Sequence, residues 1–332
     1  MSNKPPIEVP QGAIRLNTDS QRLEFFAQDR WYEFATNSPT LDGGDRGIFY
    51  GGSPNTNVID FVTIPTAGNA TDFGDALSAN RQRGVVSSTT RAVSHGRDGG
   101  SDVIEYVTFS STGNAQDFGD GTINRAGAPM AVSNGNRGIW AGEDVGNDSL
   151  TNVINYVTIA QTGNAVDFGD LNAIHSDGGR AQSPTRGVIG GGRGPNSSSF
   201  TNAMSFITIA TTGNSVDFGD LLLARNEIAS DSNATRGIFS GGNTPSNTDT
   251  IEFITIATLG NSTNFGDQST ASGSGRGSAN PTRFVMSIGY VSSNTNIIEY
   301  VQIATQGDSV DFGDLTRGSG QAAGASNGHG GL

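Results

Sequence analysis

The chain has 332 residues, no cysteine and a formal net charge of -13 at pH 7. The absence of cysteine excludes disulfide bonds and thiolate metal sites, and the negative charge argues against nucleic acid or an anionic membrane surface as the main partner. No stretch approaches the ~20 apolar residues that cross a membrane, so we expect a soluble protein, made in a cytoplasm and not inserted in a membrane.

Residues 1–40 are predicted to form a separate module, a small three-stranded meander. Short runs at 12–16, 22–26 and 31–34 have the alternation and composition of strands, with turn residues between them. A sheet of this size buries too little surface to be stable alone, so we expect it to dock, self-associate or bind a partner. The candidate anchor or oligomerisation residues are its aromatics, Phe25, Phe26, Trp31, Tyr32 and Phe34.

From residue 41 to the end, one tetrad recurs six times. It is Asp-Phe-Gly-Asp, except that Asn264 replaces the first aspartate once. Its phenylalanines are separated by 45, 50, 50, 47 and 47 residues, the length of one four-stranded propeller blade. Recurrence in every unit predicts an architectural role. We expect the acids to accept hydrogen bonds from neighbouring turns or to pair with a recurring arginine of an adjacent blade. The phenylalanines are Phe73, Phe118, Phe168, Phe218, Phe265 and Phe312.

Each repeat is predicted to contain four short antiparallel strands and no helix. In the repeat that ends at Asp267, the strands are 225–232, 235–240, 250–256 and 263–267, with a Gly-Asn turn before the last. An arginine opens every second strand, and an aromatic residue lies in every third. The sequence therefore predicts an all-β fold, a six-bladed β-propeller over residues 41–332. The C-terminal stretch 318–327 would supply the first strand of blade one and close the ring.

This order of elements resembles the kelch repeat. There, an arginine and small residues precede a strand that ends in Gly-Gly, followed by an aromatic strand and an outer strand. Kelch blades usually carry tryptophan in the outer strand, where this chain has Phe73 and its equivalents. The resemblance covers residues 42–332 and implies a kelch-like propeller.

Both parts of the chain also resemble virion proteins of bacteriophages. Residues 10–19, with the strands at 23–26 and 31–34, are similar to a short module of tail-fibre proteins. The repeat, with Thr-Arg-Gly-Ile-Phe and Asp-Phe-Gly-Asp, is similar to propeller-like structural proteins of cyanophages and related marine phages. The resemblance implies a virion component made in the host bacterial cytoplasm, with other virion proteins and further copies of itself as partners.

The loops predict which edge of the propeller binds. Loops between strands two and three, and between strands four and one, share an edge because strand direction alternates. These loops vary in length and chemistry, whereas the opposite edge carries uniform Gly-Asn or Gly-Asp turns. Repeat proteins commonly bind on the face where such variation collects. The candidate binding residues are Asn55, Asn57, Arg97, Asp98, Glu143, Asp144, Asp148, Arg193, Asn196, Asn243 and Asn294.

Motifs that suggest chemistry are better explained by the repeat. Asp-Phe-Gly also occurs in protein kinases, but no other kinase signature accompanies it. The stretch 324–328 matches the G-x-S-x-G pattern of hydrolases, yet it lies in a predicted terminal strand. His95, His175 and His329 lack the spacing of zinc ligands, and the loop from Asp144 to Asp148 lacks that of a calcium loop. We therefore predict no metal, no cofactor and no catalytic residue.

Three functions remain open at this point. We favour a non-enzymatic phage structural protein, a tail fibre or a tail or neck appendage whose propeller attaches to glycans of the host surface. The first alternative is a capsid decoration or collar protein without receptor binding. The second is a propeller glycosidase or lyase, which would need acids unique to one blade and facing the channel.

Overall fold

The computed structural model describes residues 9–17, 22–33, 46–145, 149–194 and 199–332, with residues 22, 33, 143 and 144 described by their backbone alone. The chain divides into two compact units, Met1–Asp42 and Gly43–Leu332. The described residues form 27 strands and no helix, which confirms the all-β prediction. In this part of the chain there is no helix long and apolar enough to span a membrane.

The first unit contains an antiparallel sheet of three strands in the order β1-β2-β3. Its strands are β1 (Ile14–Asn17), β2 (Arg22–Ala27) and β3 (Arg30–Glu33). Phe25 lies opposite Ile14 on one side and opposite Tyr32 on the other. Because side chains directly opposite each other share a face, these three residues lie on the same face of the sheet.

The second unit contains six antiparallel sheets of four strands among the described residues, which we number I to VI. Sheet I has β4 (Arg46–Tyr50), β5 (Thr56–Thr63), β6 (Thr71–Asn80) and the last strand, β27 (Ala323–Ser326). Sheet II has β7 (Gly84–Ser87), β8 (Arg91–His95), β9 (Ser101–Thr108) and β10 (Gln116–Arg125). Sheet III has β11 (Met130–Ser133), β12 (Arg137–Asp144), β13 (Leu150–Thr158) and β14 (Val166–Asp170). Sheet IV has β15 (Gly179–Gln182), β16 (Arg186–Gly190), β17 (Ala203–Thr208) and β18 (Val216–Asp220). Sheet V has β19 (Ala229–Ser232), β20 (Arg236–Ser240), β21 (Thr248–Thr255) and β22 (Thr263–Ser272). Sheet VI has β23 (Arg276–Ala279), β24 (Arg283–Ser287), β25 (Ile297–Gln302) and β26 (Val310–Asp314).

The inner strands of the six sheets pack against one another, and we call the region where they meet the axis. They are β7, β11, β15, β19, β23 and β27, and each contacts the inner strands of its two neighbouring sheets. Every residue of β7, β11, β19 and β27 is buried. The strands approach so closely that a Cβ on Gly324 would lie 2.1 Å from the carbonyl oxygen of Gly277. This close approach requires glycine at that position, and the arrangement of the inner strands is propeller-like.

Three side chains form the same packing unit in each of these six sheets. The ring of Phe168 is buried and meets that of Tyr156 edge-on, with 5.8 Å between centroids. The guanidinium of Arg137 lies 4.8 Å from the centroid of the same tyrosine ring. Arg137 also donates to the carbonyl oxygen of Ile209 in the next sheet at 3.1 Å. The equivalent trios are Arg46, Phe61 and Phe73; Arg91, Tyr106 and Phe118; Arg186, Phe206 and Phe218; Arg236, Phe253 and Phe265; and Arg283, Tyr300 and Phe312.

The tetrad of one sheet docks against the turn of the next. The N–H of Asp75 donates to Oδ1 of Asn114 at 3.1 Å, and the N–H of Gly113 donates to the carbonyl oxygen of Phe73 at 2.7 Å. Gly74 has a φ of +146°, and a Cβ there would lie 2.4 Å from the carbonyl oxygen of Gly113. The tetrad thus needs glycine where two backbones meet. The equivalent aspartate N–H groups donate from Asp120 to Asn164, Asp170 to Asn214, Asp220 to Asn261, Asp267 to Asp308 and Asp314 to Asn69.

These contacts correct the expected roles of the tetrad acids and of the recurring arginines. The aspartate backbone donates to the turn, whereas we expected its carboxylate to accept from it. Within the described residues, none of the six recurring guanidiniums has a carboxylate partner. Each donates to a backbone carbonyl of the neighbouring sheet, as Arg186 does to Ile256 at 2.8 Å. The first carboxylate of the tetrad, as in Asp72, is exposed, so solvation satisfies its charge.

Sheet I combines strands from both ends of the second unit. β27 pairs antiparallel with β4, with Ala325 opposite Ile48. Sheet I also contacts sheet VI, because the N–H of Gly68 donates to the carbonyl oxygen of Phe312 at 2.7 Å. Arg283 of sheet VI donates to the carbonyl oxygen of Ile64 at 3.2 Å. Sheets VI and I therefore make the same kinds of contact as the other neighbouring sheets.

Candidate functional site

Two classes of loop meet at one edge of the second unit, which we call the irregular rim. One class joins the second and third strands of a sheet, and the other joins the fourth strand to the inner strand of the next sheet. Within the described residues, isolated backbone bridges connect the two classes at four places. The bridges join Ser53 to Gly320, Ser176 to Arg193, Asn226 to Asn243 and Gly273 to Tyr290.

Sheets I and II present polar side chains on the irregular rim. Asn55 is exposed in the loop, whereas Asn57, which we also expected in the loop, lies in β5 because strand pairing begins at Thr56, and it is half-buried. Arg97 donates from Nε to the carbonyl oxygen of Gly100 at 3.1 Å. The partly exposed side chains of Asp98 and Arg81 form an ion pair across 3.1 Å. This part of the rim therefore offers amide and charged groups to a ligand.

Three other predicted rim residues hold loops together. Arg193 donates from Nε to the buried carboxylate of Asp177 at 2.9 Å. Asn294 donates from Nδ2 to the carbonyl oxygen of Ser53 at 2.7 Å, which links sheets VI and I. The N–H of Asn243 donates to the carbonyl oxygen of Asn226 at 2.9 Å. These contacts fix the shape of the rim, and a role in ligand binding stays a prediction.

The remaining predicted residues lie in the hairpin formed by β12 and β13, or outside the described residues. We expected Glu143, Asp144 and Asp148 to lie in a rim loop, but β12 continues to Asp144 and β13 begins at Leu150. The pairing continues because an irregularity between Ala141 and Glu143 restores the register. Three predicted residues are outside the described part of the chain, namely Asp148, Asn196 and Phe34.

The predicted anchor residues divide between the two faces of the first unit's sheet. Phe25 stacks on Tyr32, with 5.5 Å between ring centroids. On the other face, Phe26 meets Trp31 edge-on at 5.3 Å, and the guanidinium of Arg15 lies 4.0 Å from the centroid of the Trp31 ring. The face of Phe25 also carries exposed apolar residues, namely Ile14 at 63%, Leu16 at 61% and Leu23 at 49% exposure.

A ring of strained residues at the axial end of the rim was missed from the sequence. In five sheets, the residue two positions before the inner strand has a left-handed backbone, with φ between 53° and 60°. Such strain in a non-glycine residue persists only where the surrounding structure enforces it. The sequence signal is weak, because of these five residues only Asp177 is of a type enriched at positive φ. The ring consists of Gln82, Asp177, Glu227, Ser274 and Gln321.

Two carboxylates of this ring come from adjacent sheets. Burial raises the pKa of Asp177 above its ordinary value, against the charge of Arg193, and the charge of Glu227 adds to the rise. Glu227 accepts hydrogen bonds from Oγ of Ser274 at 2.5 Å and from Nε2 of Gln321 at 2.7 Å. The other ring positions are not acidic, so this pair is not part of the repeat.

Farther along the inner strands, Arg180 of sheet IV crosses the axis. Its Nη1 donates to the carbonyl oxygen of Val85 in sheet II at 3.3 Å, and its Nη2 donates to that of Gly324 in sheet I at 2.5 Å. A cavity of about 30 Å³ lies beside this guanidinium, and Arg83 and Arg276 also line it. One arginine thus joins three inner strands and leaves a small cationic cavity on the axis.

At the other end of the inner strands, hydroxyl groups and the C-terminal residues fill the axis. The N–H of Ser87 donates to Oγ of Ser133 at 3.0 Å. His329 lies between them, with its Nε2 3.1 Å from the carbonyl oxygen of Ser87, while its Nδ1 accepts from the N–H of Gly331 at 3.0 Å. The hydroxyl of Ser326 donates to the carbonyl oxygen of Ala279. The serine of the G-x-S-x-G stretch, Ser326, therefore makes a structural hydrogen bond to β23.

The other two histidines also make structural contacts. Burial lowers the pKa of His95 to about 3, and its ring meets that of Trp140 edge-on at 5.4 Å. His175 bonds through Nδ1 to the carbonyl oxygen of Gly191 at 2.8 Å. Across the described ranges, no three histidine, aspartate or glutamate side chains are grouped so that they could hold a metal ion.

The opposite edge carries similar concavities in three sheets, which we call the hairpin cups. Their volumes are about 190 Å³ in sheet II, 230 Å³ in sheet III and 180 Å³ in sheet VI. Each lies between the third-strand tyrosine and the following turn, and the tyrosines are Tyr106, Tyr156 and Tyr300. The cups offer a uniform surface, in contrast to the irregular rim.

No family model matches the chain, and no curated protein with a similar sequence is found.

Proposed function

We propose that residues 43–332 form a closed six-bladed β-propeller of kelch-like type and act as a binding module. Support for closure comes from sheets VI and I, which share the turn contact and the arginine contact of the other neighbours. A ring of six sheets also accounts for the burial of the inner strands. The kelch-like assignment rests on the order of arginine, Gly-Gly, aromatic strand and outer strand, with phenylalanine in place of tryptophan.

The observation that carries the binding role is the difference between recurring and non-recurring side chains. Recurring groups such as Arg137, Tyr156 and Phe168 are engaged within and between sheets. The rim loops do not repeat, and they present side chains such as Asn55 and Arg97 from a rigid frame. Variable loops on a rigid scaffold are the usual basis of recognition.

We further propose that the protein is a structural component of a bacteriophage particle, a tail fibre or a tail or neck appendage that attaches to host-surface glycans. The likeness of both units to virion proteins supports this origin. The exposed apolar face of Ile14, Leu16 and Leu23 gives the first unit a surface for other virion proteins or further copies. The amides of the irregular rim are suited to bonding sugar hydroxyls.

Glycan binding tests the proposed surface. The double change Asn55→Ala and Asn57→Ala removes one amide from the rim loop and one from the start of β5 beside it, and we expect the affinity for host-surface polysaccharide to fall about tenfold. Gln161→Ala, in the hairpin cup of sheet III, is the matched control and should bind like the wild type. Weakening by the control alone would move the binding surface to the hairpin cups. No binding by the wild type would contradict host attachment and favour a decoration or collar protein.

Particle incorporation tests the proposed anchor. A chain lacking residues 1–42 should keep its glycan binding and be missing from purified particles, as measured by immunoblotting against the full-length protein. Incorporation of the shortened chain at the normal level would show that the first unit is not the anchor.

Asp177 and Glu227 favour one alternative, a glycosidase or lyase acting on surface polysaccharide. They are non-repeating carboxylates at the axial end of the rim, and the raised pKa of Asp177 is typical of a general acid. Against this, both already bond to neighbouring side chains of the chain. Turnover of polysaccharide by the wild type that is lost in a folded Glu227→Gln variant would establish the enzyme instead.

A further inference from the structure

Three guanidinium groups from alternate sheets line the axial cavity. Arg83 comes from sheet II, Arg180 from sheet IV and Arg276 from sheet VI. Arg83 is neutralised by Glu105, whose Oε1 lies 2.9 Å from its Nη1. The positive charges of Arg180 and Arg276 remain to be balanced.

Neither Arg180 nor Arg276 has an ion pair within the described part of the chain. Arg180 donates to two backbone carbonyls, and its buried Nε has no acceptor. Arg276 donates from Nη1 to the carbonyl oxygen of Gly275 at 2.7 Å. Both side chains are half-buried, and this burial lowers the pKa of both arginines because fewer waters surround their charges.

The acids that act on these arginines from farther away are bound elsewhere. Asp231 accepts hydrogen bonds from Nε2 of Gln182 and from the N–H of Ala279. Asp177 is paired with Arg193, and Glu227 bonds to Ser274 and Gln321. Two cations thus share one small space with no carboxylate in contact with either.

We propose that the axial cavity binds one small inorganic anion, such as chloride, between Arg180 and Arg276. Oγ of Ser230, which also lines the cavity, accepts the N–H of Arg180 at 2.7 Å and keeps its own hydrogen to donate to the anion. A volume of about 30 Å³ accommodates one monoatomic anion. The bound ion ties sheets IV and VI together across the axis and is independent of glycan attachment.

Thermal unfolding of the full-length protein tests the site in solution. At constant ionic strength, replacing gluconate with chloride should raise the Tm by about 4 °C if chloride reaches about a hundredfold excess over its Kd. Arg276→Gln should abolish most of this shift, whereas Arg30→Gln, which removes an exposed arginine of the first unit, should keep it. An equal Tm of the wild type in both salts would overturn the proposal, as would a chloride shift that Arg276→Gln retains.

Crystals grown in sodium bromide locate the ion without any variant, so the test stands even if Arg276→Gln fails to fold. One anomalous peak within hydrogen-bonding distance of Arg180 and Arg276 would support the site. A cavity that holds only water would overturn it. A bromide peak without a chloride-dependent Tm would indicate binding at crystal concentration only, and would also overturn it.

Discussion

One buried position of the third strand keeps its place in every sheet while its chemistry changes. It directly precedes the recurring aromatic residue. In sheet V, Glu252 pairs with Arg225 across 2.6 Å, and both side chains are fully buried. In sheet IV the position is neutral, and Oγ of Ser205 donates to Asn172 at 2.5 Å. In both sheets the buried polar group at this position has its own partner, because an unpaired one is costly. The six residues are Asp60, Glu105, Asn155, Ser205, Glu252 and Glu299.

Truncation of a tetrad phenylalanine tests the packing between sheets. Phe168 is 2% exposed, so Phe168→Ala should lower the free energy of unfolding by about 3–5 kcal/mol through lost burial and a cavity. Val166→Ala is the control on the same strand, since Val166 is 54% exposed and should change stability little. Urea denaturation measures both, and an unchanged midpoint for Phe168→Ala would contradict its burial.

A second prediction at the residue scale concerns pH. Burial lowers the pKa of His329 to about 3, and its Nδ1 already accepts a hydrogen bond, so the folded protein holds the ring neutral. Between about pH 6.5 and pH 3, His329 is protonated in the unfolded chain and neutral in the folded chain. The free energy of unfolding should therefore fall with decreasing pH, by up to about 1.4 kcal/mol per unit from this group.

Comparison with His329→Gln isolates this contribution. The variant should lose less stability than the wild type between pH 7 and pH 4 in urea titrations. Asp231 has the opposite effect on the free energy of unfolding. Burial raises its pKa to about 6, so the folded protein loses stability as pH rises from about 4 to 6. His95 and Asp231 contribute to both proteins and cancel in the difference. Parallel stability curves for wild type and variant would refute the assignment to His329.

At the scale of elements, the recurring unit is the contact between a turn and the tetrad of the preceding sheet. The second residue of the turn caps an aspartate N–H, and the turn glycine approaches the tetrad glycine backbone to backbone. The charge of the tetrad is not needed for this contact. That explains why Asn264 can replace the first aspartate in one repeat.

Removal of one turn amide should therefore have the same effect in different sheets. Asn114→Ala and Asn214→Ala each delete one acceptor and should each lower the free energy of unfolding by about 1 kcal/mol. The double variant should lose about 2 kcal/mol, since the two contacts share no residue. Asn55→Ala, on the exposed rim, is the control in the same chemical denaturation series. A marked difference between the two single variants would mean that the sheets are not equivalent.

At the scale of the whole molecule, the second unit depends on strands that are far apart in the chain. β27 pairs with β4 across more than 270 residues, as between Ala325 and Ile48. The residues that follow β27 fill the axis, where the N–H of Gly330 donates to the carbonyl oxygen of Ser232 at 2.7 Å. The C-terminal part therefore contacts several sheets at once.

Two truncations separate these contributions. Deletion of residues 318–332 exposes the edge of β4 and opens the axis, so we expect loss of cooperative thermal unfolding and aggregation. Deletion of residues 328–332 keeps β27 and should leave a folded protein with a lower Tm, because it removes the axial contacts of His329. Circular dichroism melts of both against the full chain measure the effect. Normal melting after the larger deletion would contradict a structural role for β27.

Much of this fold could be predicted because the same local signals occur six times. Alternation in the third strand and the Gly-Asn or Gly-Asp turn each follow from the local chain, and their repetition supports the strands and their antiparallel order. Rim residues such as Asn55 were placed correctly at an exposed loop for the same reason. The predicted loop after Glu143 was wrong, because backbone pairing through a bulge extended the hairpin.

The sequence by itself thus determined the all-β class, the four-stranded unit and the edge on which variation collects, since these depend on residues within one repeat. Only the tertiary structure decided which side chains meet on the axis. There Arg180 links three inner strands, Asp177 and Glu227 come together, and His329 is buried. These residues occur once each and lie on different inner strands. Their neighbours are set by how six unlike strands converge, which no local pattern encodes.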